Sequence, residues 1–341
     1  MEELIKDIKI TPIIDSIHFT KISDEDYFSS QYGSYISNSR LGLINPDQDG
    51  TPEKFFEGFA ANKIYSDSLV FGSLLHQGLL QPEYFDLCTT IDRPSGKVGH
   101  LSDVILSWNK KEYTEEDYHK AAIEVDYYHG ILSEKRLAKL KEVIDPYIAA
   151  RRQYDKEHTD KENMYADPYM REKYNICMSN LLNDKDIQKL LHPKRLFQDP
   201  FVSNEQALLL DVKVSMPDKE DFIISLKSKV DNCVIDFESD TITINDLKTT
   251  SPPLDFFEQA IDRYHYYREM AMYAYLLQIY CRKTYNMEKI TMKSNFLLIH
   301  TQGDYETGIY SMTPNLWEKG FKEFQDLLKL VAYYVANGYS L

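Results

Sequence analysis

Residues 242–250, ITINDLKTT, end a strand-like run with an acidic and a basic residue two positions apart. Residues 241–245 alternate polar and apolar side chains, which is typical of a strand with one covered face. Because successive side chains of a strand point to opposite faces, Asp246 and Lys248 continue the face that Ile242 and Ile244 bury. Charged groups on a covered face need partners, so this pair marks a candidate functional site.

The segments around this strand predict a mixed α/β fold. In chain order, the main elements are a helix over 69–80, strands over 206–214, 222–236 and 241–248, a helix over 255–282, a strand over 290–301 and a helix over 314–337. This order indicates a central mixed sheet flanked by helices.

The domain organisation follows from the same pattern. Residues 1–68 are predicted to form an N-terminal arm packed on the core, and 69–341 the main domain. Residues 114–191 are mostly helical and charged, so a helical insertion of about 111–196 is expected within that domain. Its longest run, 133–158, contains Pro146, which predicts a kink or break.

Composition describes a globular chain of 341 residues with 43% apolar residues, 26 Tyr and 16 Phe. No apolar stretch approaches the roughly 20 residues that span a bilayer, and the N-terminus lacks the pattern of an export signal. The four cysteines are scattered without a Cys-x-x-Cys pair. This pattern favours a protein of the reducing cytoplasm and argues against a zinc ribbon. The net charge of −15 argues against a protein that coats nucleic acid, although a local basic groove remains compatible with it.

Five residues carry the candidate chemistry: Asp246 and Lys248 on the third strand, Asp231 on the second, Glu205 at the opening of the first, and His76 on the first helix. Two carboxylates on adjacent strands suit Mg²⁺, which prefers oxygen ligands and keeps several waters. Such a metal lowers the pKa of bound water and neutralises charge on a phosphoryl oxygen. A lysine two residues from a ligand points into the same volume, where it could stabilise a transition state.

Taken in order, Gly72-x-x-x-His76, Glu205, Lys229-x-Asp231 and Asp246-x-Lys248-Thr249-Thr250 resemble the PD-(D/E)XK nuclease superfamily. The chain is most similar to its RecE (exodeoxyribonuclease VIII) type, relatives of the RecB nuclease domain. Residues 35–41 and 71–85 resemble the opening segments of that group. The resemblance covers roughly residues 35–300 and is carried by the combination rather than by a single motif.

This resemblance implies a restriction-endonuclease-like core with His76, Asp231 and Asp246 as metal ligands and Lys248 as the catalytic lysine. Glu205 matches an acidic position of the family and is counted with the catalytic residues. The implied cofactor is Mg²⁺, with Mn²⁺ as a substitute.

The family often carries Gln-x-x-x-Tyr on the helix that follows. Here the motif reads Glu269-x-x-x-Tyr273, so a carboxylate replaces an amide. A carboxylate facing phosphates would repel them unless it is bound to metal, protonated, or paired with Arg268 or Arg263. Glu269, Tyr273 and Arg268 are the candidate DNA-binding residues.

The implied function is a Mg²⁺-dependent DNA nuclease, and specifically an exonuclease that resects duplex ends for recombination. The alternatives are an endonuclease or single-strand nuclease on the same core, or a catalytically idle relative that binds DNA or protein. The expected partners are DNA, as duplex ends or single strands, and a single-strand annealing protein, with a homo-oligomer also possible. The expected location is the cytoplasm of a bacterial or phage-infected cell, without a membrane partner.

Each residue also has a structural interpretation. Taken alone, His76 would be a core histidine, and Asp246 with Lys248 would be a surface ion pair of little energetic value. Tyrosines 264, 266, 267, 273 and 275 recur at helical spacing, which favours core packing over base stacking. The ordered combination favours the functional interpretation for His76, Asp231 and the Asp246–Lys248 pair.

Overall fold

The computed structural model describes residues 2–57, 65–195 and 198–341. Its α-helices are α1 (Glu2–Ile5), α2 (Asp24–Tyr27), α3 (Asn38–Gly42), α4 (Pro52–Glu57), α5 (Asp67–Leu80), α6 (Gly96–Ser107), α7 (Glu115–Glu124), α8 (Glu134–Glu157), α9 (Pro168–Asn183), α10 (Lys185–Leu191), α11 (Phe257–Tyr264), α12 (Tyr266–Tyr285) and α13 (Pro314–Ala336). Its strands are β1 (Lys9–Pro12), β2 (His18–Thr20), β3 (Phe85–Leu87), β4 (Glu162–Met164), β5 (Phe201–Ser215), β6 (Phe222–Asp236), β7 (Thr241–Thr250), β8 (Thr291–His300) and β9 (Thr307–Ser311).

The chain divides into two compact units, one formed by Met1–Ala61 with Asp184–Leu341 and the other by Asn62–Asn183. The second unit begins and ends earlier than the predicted insertion of 111–196. It includes α5, which the sequence placed in the main domain.

The first unit is built on one mixed sheet with the order β1-β5-β6-β7-β8-β9, and β2 also pairs with β5. β5, β6 and β7 form an antiparallel meander, whereas β7 and β8 are parallel. α11 and α12 supply the long crossover that a parallel pair requires. The predicted class, a central mixed sheet flanked by helices, is confirmed.

The core of this unit lies between one face of the sheet and the helices α12 and α13. Alternate residues of the strands, such as Leu208, Leu226 and Ile244, belong to the same buried cluster as Met270 and Phe324 of the helices. The tyrosines of α11 and α12 are mostly packing residues, as predicted. Tyr267 and Tyr273 are buried and Tyr266 and Tyr275 pack against the core, whereas Tyr264 is exposed. This core fixes which face of β7 meets α12.

The second unit is helical, with a small parallel pair formed by β3 and β4. The helix α8 continues through Pro146, so the prediction that the helix breaks at this proline is wrong. Proline removes one backbone donor, but buried residues on both sides of it, Leu140, Ile144, Tyr147 and Ile148, hold the helix on the core of this unit. Among the described helices, none is both long enough and apolar enough to cross a membrane.

Candidate active site

The regular pairing of the sheet is interrupted at the predicted acidic residues. β5 and β6 pair at Asn204–Asn232 and again at Gln206–Val230, but the position between these two pairs is not paired. Glu205, which occupies that position on β5, has a left-handed φ of 52°. A non-glycine residue with this φ is uncommon and strained within a strand. Pairing of β6 with β7 ends at Asn232–Asn245, one residue before Asp231 and Asp246 would meet.

The interruption also reverses the faces of β6. Val230 and Cys233 are both buried in the core cluster that faces α12, although they lie three residues apart. Uninterrupted alternation would place them on opposite faces. Asp231 therefore sits at the reversal, where its Oδ2 atom accepts a hydrogen bond of 2.9 Å from the backbone N–H of Leu247 on β7.

Asp246 and Lys248 share the covered face, as their spacing predicts. Lys248 Nζ lies 2.7 Å from Asp246 Oδ2 and 3.1 Å from Glu269 Oε2 on α12. Glu269 Oε1 accepts a hydrogen bond of 3.1 Å from the Tyr273 hydroxyl. The ammonium group also lies 4.7 Å from the centre of the Tyr266 ring. The lysine is thus held between two carboxylates over an aromatic face.

Burial raises the pKa of Asp246 well above its ordinary value. Lys248 opposes this shift, whereas the carboxylates of Asp231 and Glu269 add to it. Burial acts to lower the pKa of Lys248, but Asp246, Glu269 and Asp231 outweigh it and raise that pKa well above its ordinary value. Lys248 therefore remains protonated, and the three carboxylates are close enough to repel one another.

Glu205 belongs to the same acidic group. One of its carboxylate oxygens lies within 4.8 Å of one of Asp231. Glu205 Oε2 is 2.8 Å from Lys229 Nζ, and Lys229 also contacts Asp24. Each lysine of the site is consequently shared by two carboxylates.

These residues fit a divalent cation. The donor atoms are carboxylate oxygens, which Mg²⁺ prefers. The carboxylates outnumber the lysines, and Asp246 is only 1% exposed. A buried excess of negative charge is costly unless it is neutralised by protons or by a cation. The oxygens of Glu205 and Asp231 lie within 4.8 Å of each other, and Asp246 is predicted as a further ligand. A metal held by these carboxylates would supply that charge.

His76, the third predicted ligand, is half-buried on α5 in the second compact unit. The neighbouring Leu75 is fully buried. The role of His76 as a metal ligand stays a prediction.

The candidate DNA-binding residues differ in their surroundings. Arg268 is 1% exposed and bonds to Asn38, Gln48 and Glu323, so its guanidinium is part of the interior rather than of a DNA-binding surface. Of the alternatives considered for Glu269, pairing with Arg268 or Arg263 is not the one seen, because its carboxylate contacts Lys248 and Tyr273 instead.

Sequence reasoning missed a cavity of about 1200 Å³ beside this site, which is lined within the first unit by Tyr27, Ser37, Arg40, Lys227, Lys229, Glu269 and Tyr273 among others. Lys227 Nζ donates to the Tyr27 carbonyl oxygen at 2.8 Å, and Arg40 Nη1 donates to that of Gly33 at 3.0 Å. Burial lowers the pKa of Lys227 to about 8, and the charge of Arg40 acts in the same direction. The lining of the cavity thus includes three basic side chains, Arg40, Lys227 and Lys229, and one acidic side chain, Glu269.

The sequence matches no family model, and it matches no curated protein. Among solved structures, the chain is similar to a crystal structure from Eubacterium rectale described as "Putative exonuclease". The TM-score is 0.47 and the sequence identity 12%, over 94% of this chain and 89% of the other. Function therefore has to be inferred from the side chains described above.

Proposed function

We propose that this protein is a Mg²⁺-dependent deoxyribonuclease of the PD-(D/E)XK type, acting as an exonuclease on duplex ends. The observation that carries the proposal is the placement of Asp246 and Lys248 on one covered face beside Asp231, where the pairing of β6 with β7 ends. A structural ion pair would not require the further carboxylates of Asp231 and Glu269 beside it, or an interruption in the sheet.

The residues divide the chemistry between them. Asp231 and Asp246 would hold Mg²⁺, with Glu205 nearby and His76 as the further predicted ligand. The bound metal would activate water for in-line attack on a phosphodiester and neutralise charge on the phosphoryl oxygen. Lys248 stays protonated and is oriented by Glu269, so it can donate to the attacking water or to a transition-state oxygen.

The cavity offers a path for the substrate strand. Arg40, Lys227 and Lys229 line it together with several serine side chains, and its wall includes Glu269 and Tyr273 of the candidate site. Lysine, arginine and hydroxyl groups are the usual partners of phosphate oxygens. This local positive charge answers the objection raised by the net charge of −15.

Digestion of linear and covalently closed circular duplex DNA tests the proposal, with Mg²⁺ in one series and EDTA in the other. We expect nucleotide release from linear DNA alone, only with Mg²⁺, and none from Asp246→Asn. Nicking of circles would indicate an endonuclease. Cleavage of a single-stranded oligonucleotide in a parallel reaction, without cleavage of either duplex, would indicate a single-strand nuclease. Cleavage in EDTA, or none under either condition, would overturn the proposal.

A further inference from the structure

A row of buried amide side chains crosses the sheet beside the acidic residues. The chain of hydrogen bonds is Ser311 Oγ to Asn295 Oδ1 (2.8 Å), Asn295 Nδ2 to Asn245 Oδ1 (2.9 Å), Asn245 Nδ2 to Asn232 Oδ1 (2.7 Å), and Asn232 Nδ2 to Asn204 Oδ1 (2.7 Å). We call these four asparagines, one from each of β5, β6, β7 and β8, the asparagine ladder. All its donors point in the same direction, so the bonds reinforce one another.

Sheet stability alone does not account for this ladder. Asn232 is fully buried and Asn245 is 1% exposed, at positions where apolar side chains would pack without needing partners. A buried amide is costly unless its hydrogen bonds are satisfied. The Asn245 Nδ2 group makes two hydrogen bonds, because it donates to the Leu190 carbonyl oxygen at 3.1 Å as well as to Asn232 Oδ1. Such a network strongly favours one register, since a shifted strand would leave buried amides unsatisfied.

Three members of the ladder adjoin the three acidic residues of the site in sequence. They occur as Asn204-Glu205, Asp231-Asn232 and Asn245-Asp246. The ladder pairs Asn204–Asn232 and Asn232–Asn245 are also the last regular cross-strand pairs before the interruption at Glu205 and Asp231. The ladder therefore ties the three backbones together at the point where the pairing of β5 with β6 is interrupted and that of β6 with β7 ends.

We propose that the asparagine ladder is a positioning device for the metal-binding carboxylates. It fixes the spacing of Glu205, Asp231 and Asp246 where the interrupted sheet would otherwise leave it loose. The inference rests on the proposed function, because it assumes that these carboxylates hold a divalent cation.

The fourth member supplies a matched control. Asn295 is in the same ladder and is bonded on both sides, but its neighbour on β8 is the buried Phe296 rather than an acid. Asn232→Leu and Asn295→Leu each replace a buried amide by an apolar group of similar size. Both are expected to lower the thermal midpoint of unfolding, but only Asn232→Leu should disturb the carboxylates.

The test measures Mn²⁺ affinity of the DNA-free protein by titration calorimetry, at a temperature where every variant is folded. We expect Asn232→Leu to bind Mn²⁺ at least about tenfold more weakly than the wild type, the usual loss when a residue supporting a metal ligand is removed. Asn295→Leu should bind Mn²⁺ as the wild type does. Asn204→Ala, at the less buried end of the ladder, gives the same comparison with less risk to folding.

Equal Mn²⁺ affinity in Asn204→Ala, Asn232→Leu and the wild type would overturn the positioning role and leave the nuclease proposal standing. Equal weakening in Asn295→Leu would also overturn it, because the effect would then follow general destabilisation. A wild-type protein that binds no Mn²⁺ would overturn both proposals.

Discussion

Lys248 lies between Asp246 and Glu269 and is not itself a predicted metal ligand. Substituting this one residue therefore tests catalysis separately from metal binding. If Lys248 stabilises transition-state charge, Lys248→Ala should leave Mn²⁺ and DNA binding nearly intact. Its cleavage rate should fall by about 10²- to 10³-fold, the usual loss for one electrostatic stabiliser. Single-turnover cleavage with a separate Mn²⁺ titration provides the measurement.

Lys248→Arg is the control for charge alone. The planar guanidinium is bulkier than an ammonium group and cannot occupy the same point between the two carboxylates, so activity should not return. Full activity in Lys248→Ala would show that Asp246 and Lys248 form only a structural pair.

Lys227 tests the cavity as the strand-binding path. Because burial lowers its pKa to about 8, the side chain is charged at pH 7 and largely neutral at pH 9. Affinity for a single-stranded oligonucleotide, measured by fluorescence anisotropy with non-cleaving Ca²⁺, should therefore fall as the pH rises through about 8. Lys227→Met should weaken binding at pH 7, lower the salt slope by about 1 and remove most of this pH dependence.

Lys213→Met is the matched control, since Lys213 is exposed on β5 and pairs with Asp221 at 3.1 Å. Its affinity and pH dependence should equal those of the wild type. A Lys227→Met protein that retains wild-type affinity would exclude Lys227 from the path of the strand.

Residue-level prediction succeeded where it depended on local periodicity. The two-residue period placed Asp246 and Lys248 on one face, and the contact between their side chains confirms it. The left-handed φ of Glu205 could not be predicted, because it depends on the local interruption of the pairing between β5 and β6. A usable signal was present, however, since each of the three acids stands beside an asparagine in the sequence.

At the scale of elements, alternation defined the strands of the meander well. The strand predicted over 222–236 matches β6, and those over 206–214 and 241–248 lie within β5 and β7. β1, β2 and β9 were missed because each has only three to five residues and little pattern of its own. The predicted helix over 255–282 is divided at His265, which has a left-handed φ of 53°. No glycine or other turn-forming residue in the local sequence predicts this conformation.

The packing of α12 against α13 makes a prediction of its own. A Cβ atom at Gly320 would lie 2.3 Å from the Tyr267 carbonyl oxygen, so the two helices can approach only because residue 320 is glycine. Gly320→Ala should destabilise the fold by about 1–3 kcal/mol, the usual cost of overpacking, and lower the thermal midpoint. Gln325→Ala on the exposed face of α13 should change it little. Equal thermal midpoints for Gly320→Ala and the wild type would show that α12 and α13 can move apart without loss of stability.

At the scale of the whole molecule, composition and element order predicted the mixed sheet of the first unit. They did not predict the division into units, because nothing in the sequence of α5 distinguishes it from a helix of the main domain. Its actual partner is α9, where Tyr174 lies so close to Gly78 that a Cβ there would clash with the ring. Such long-range complementarity leaves no periodic trace in the sequence.

Anomalous scattering from crystals grown with Mn²⁺ tests the central claim most directly. We predict a peak within about 2.5 Å of carboxylate oxygens from both Asp231 and Asp246. A nitrogen of His76 at the same distance would confirm the third ligand. Crystals at saturating Mn²⁺ with the peak elsewhere, or with none, from a protein that cleaves DNA in solution would contradict the assignment of the site.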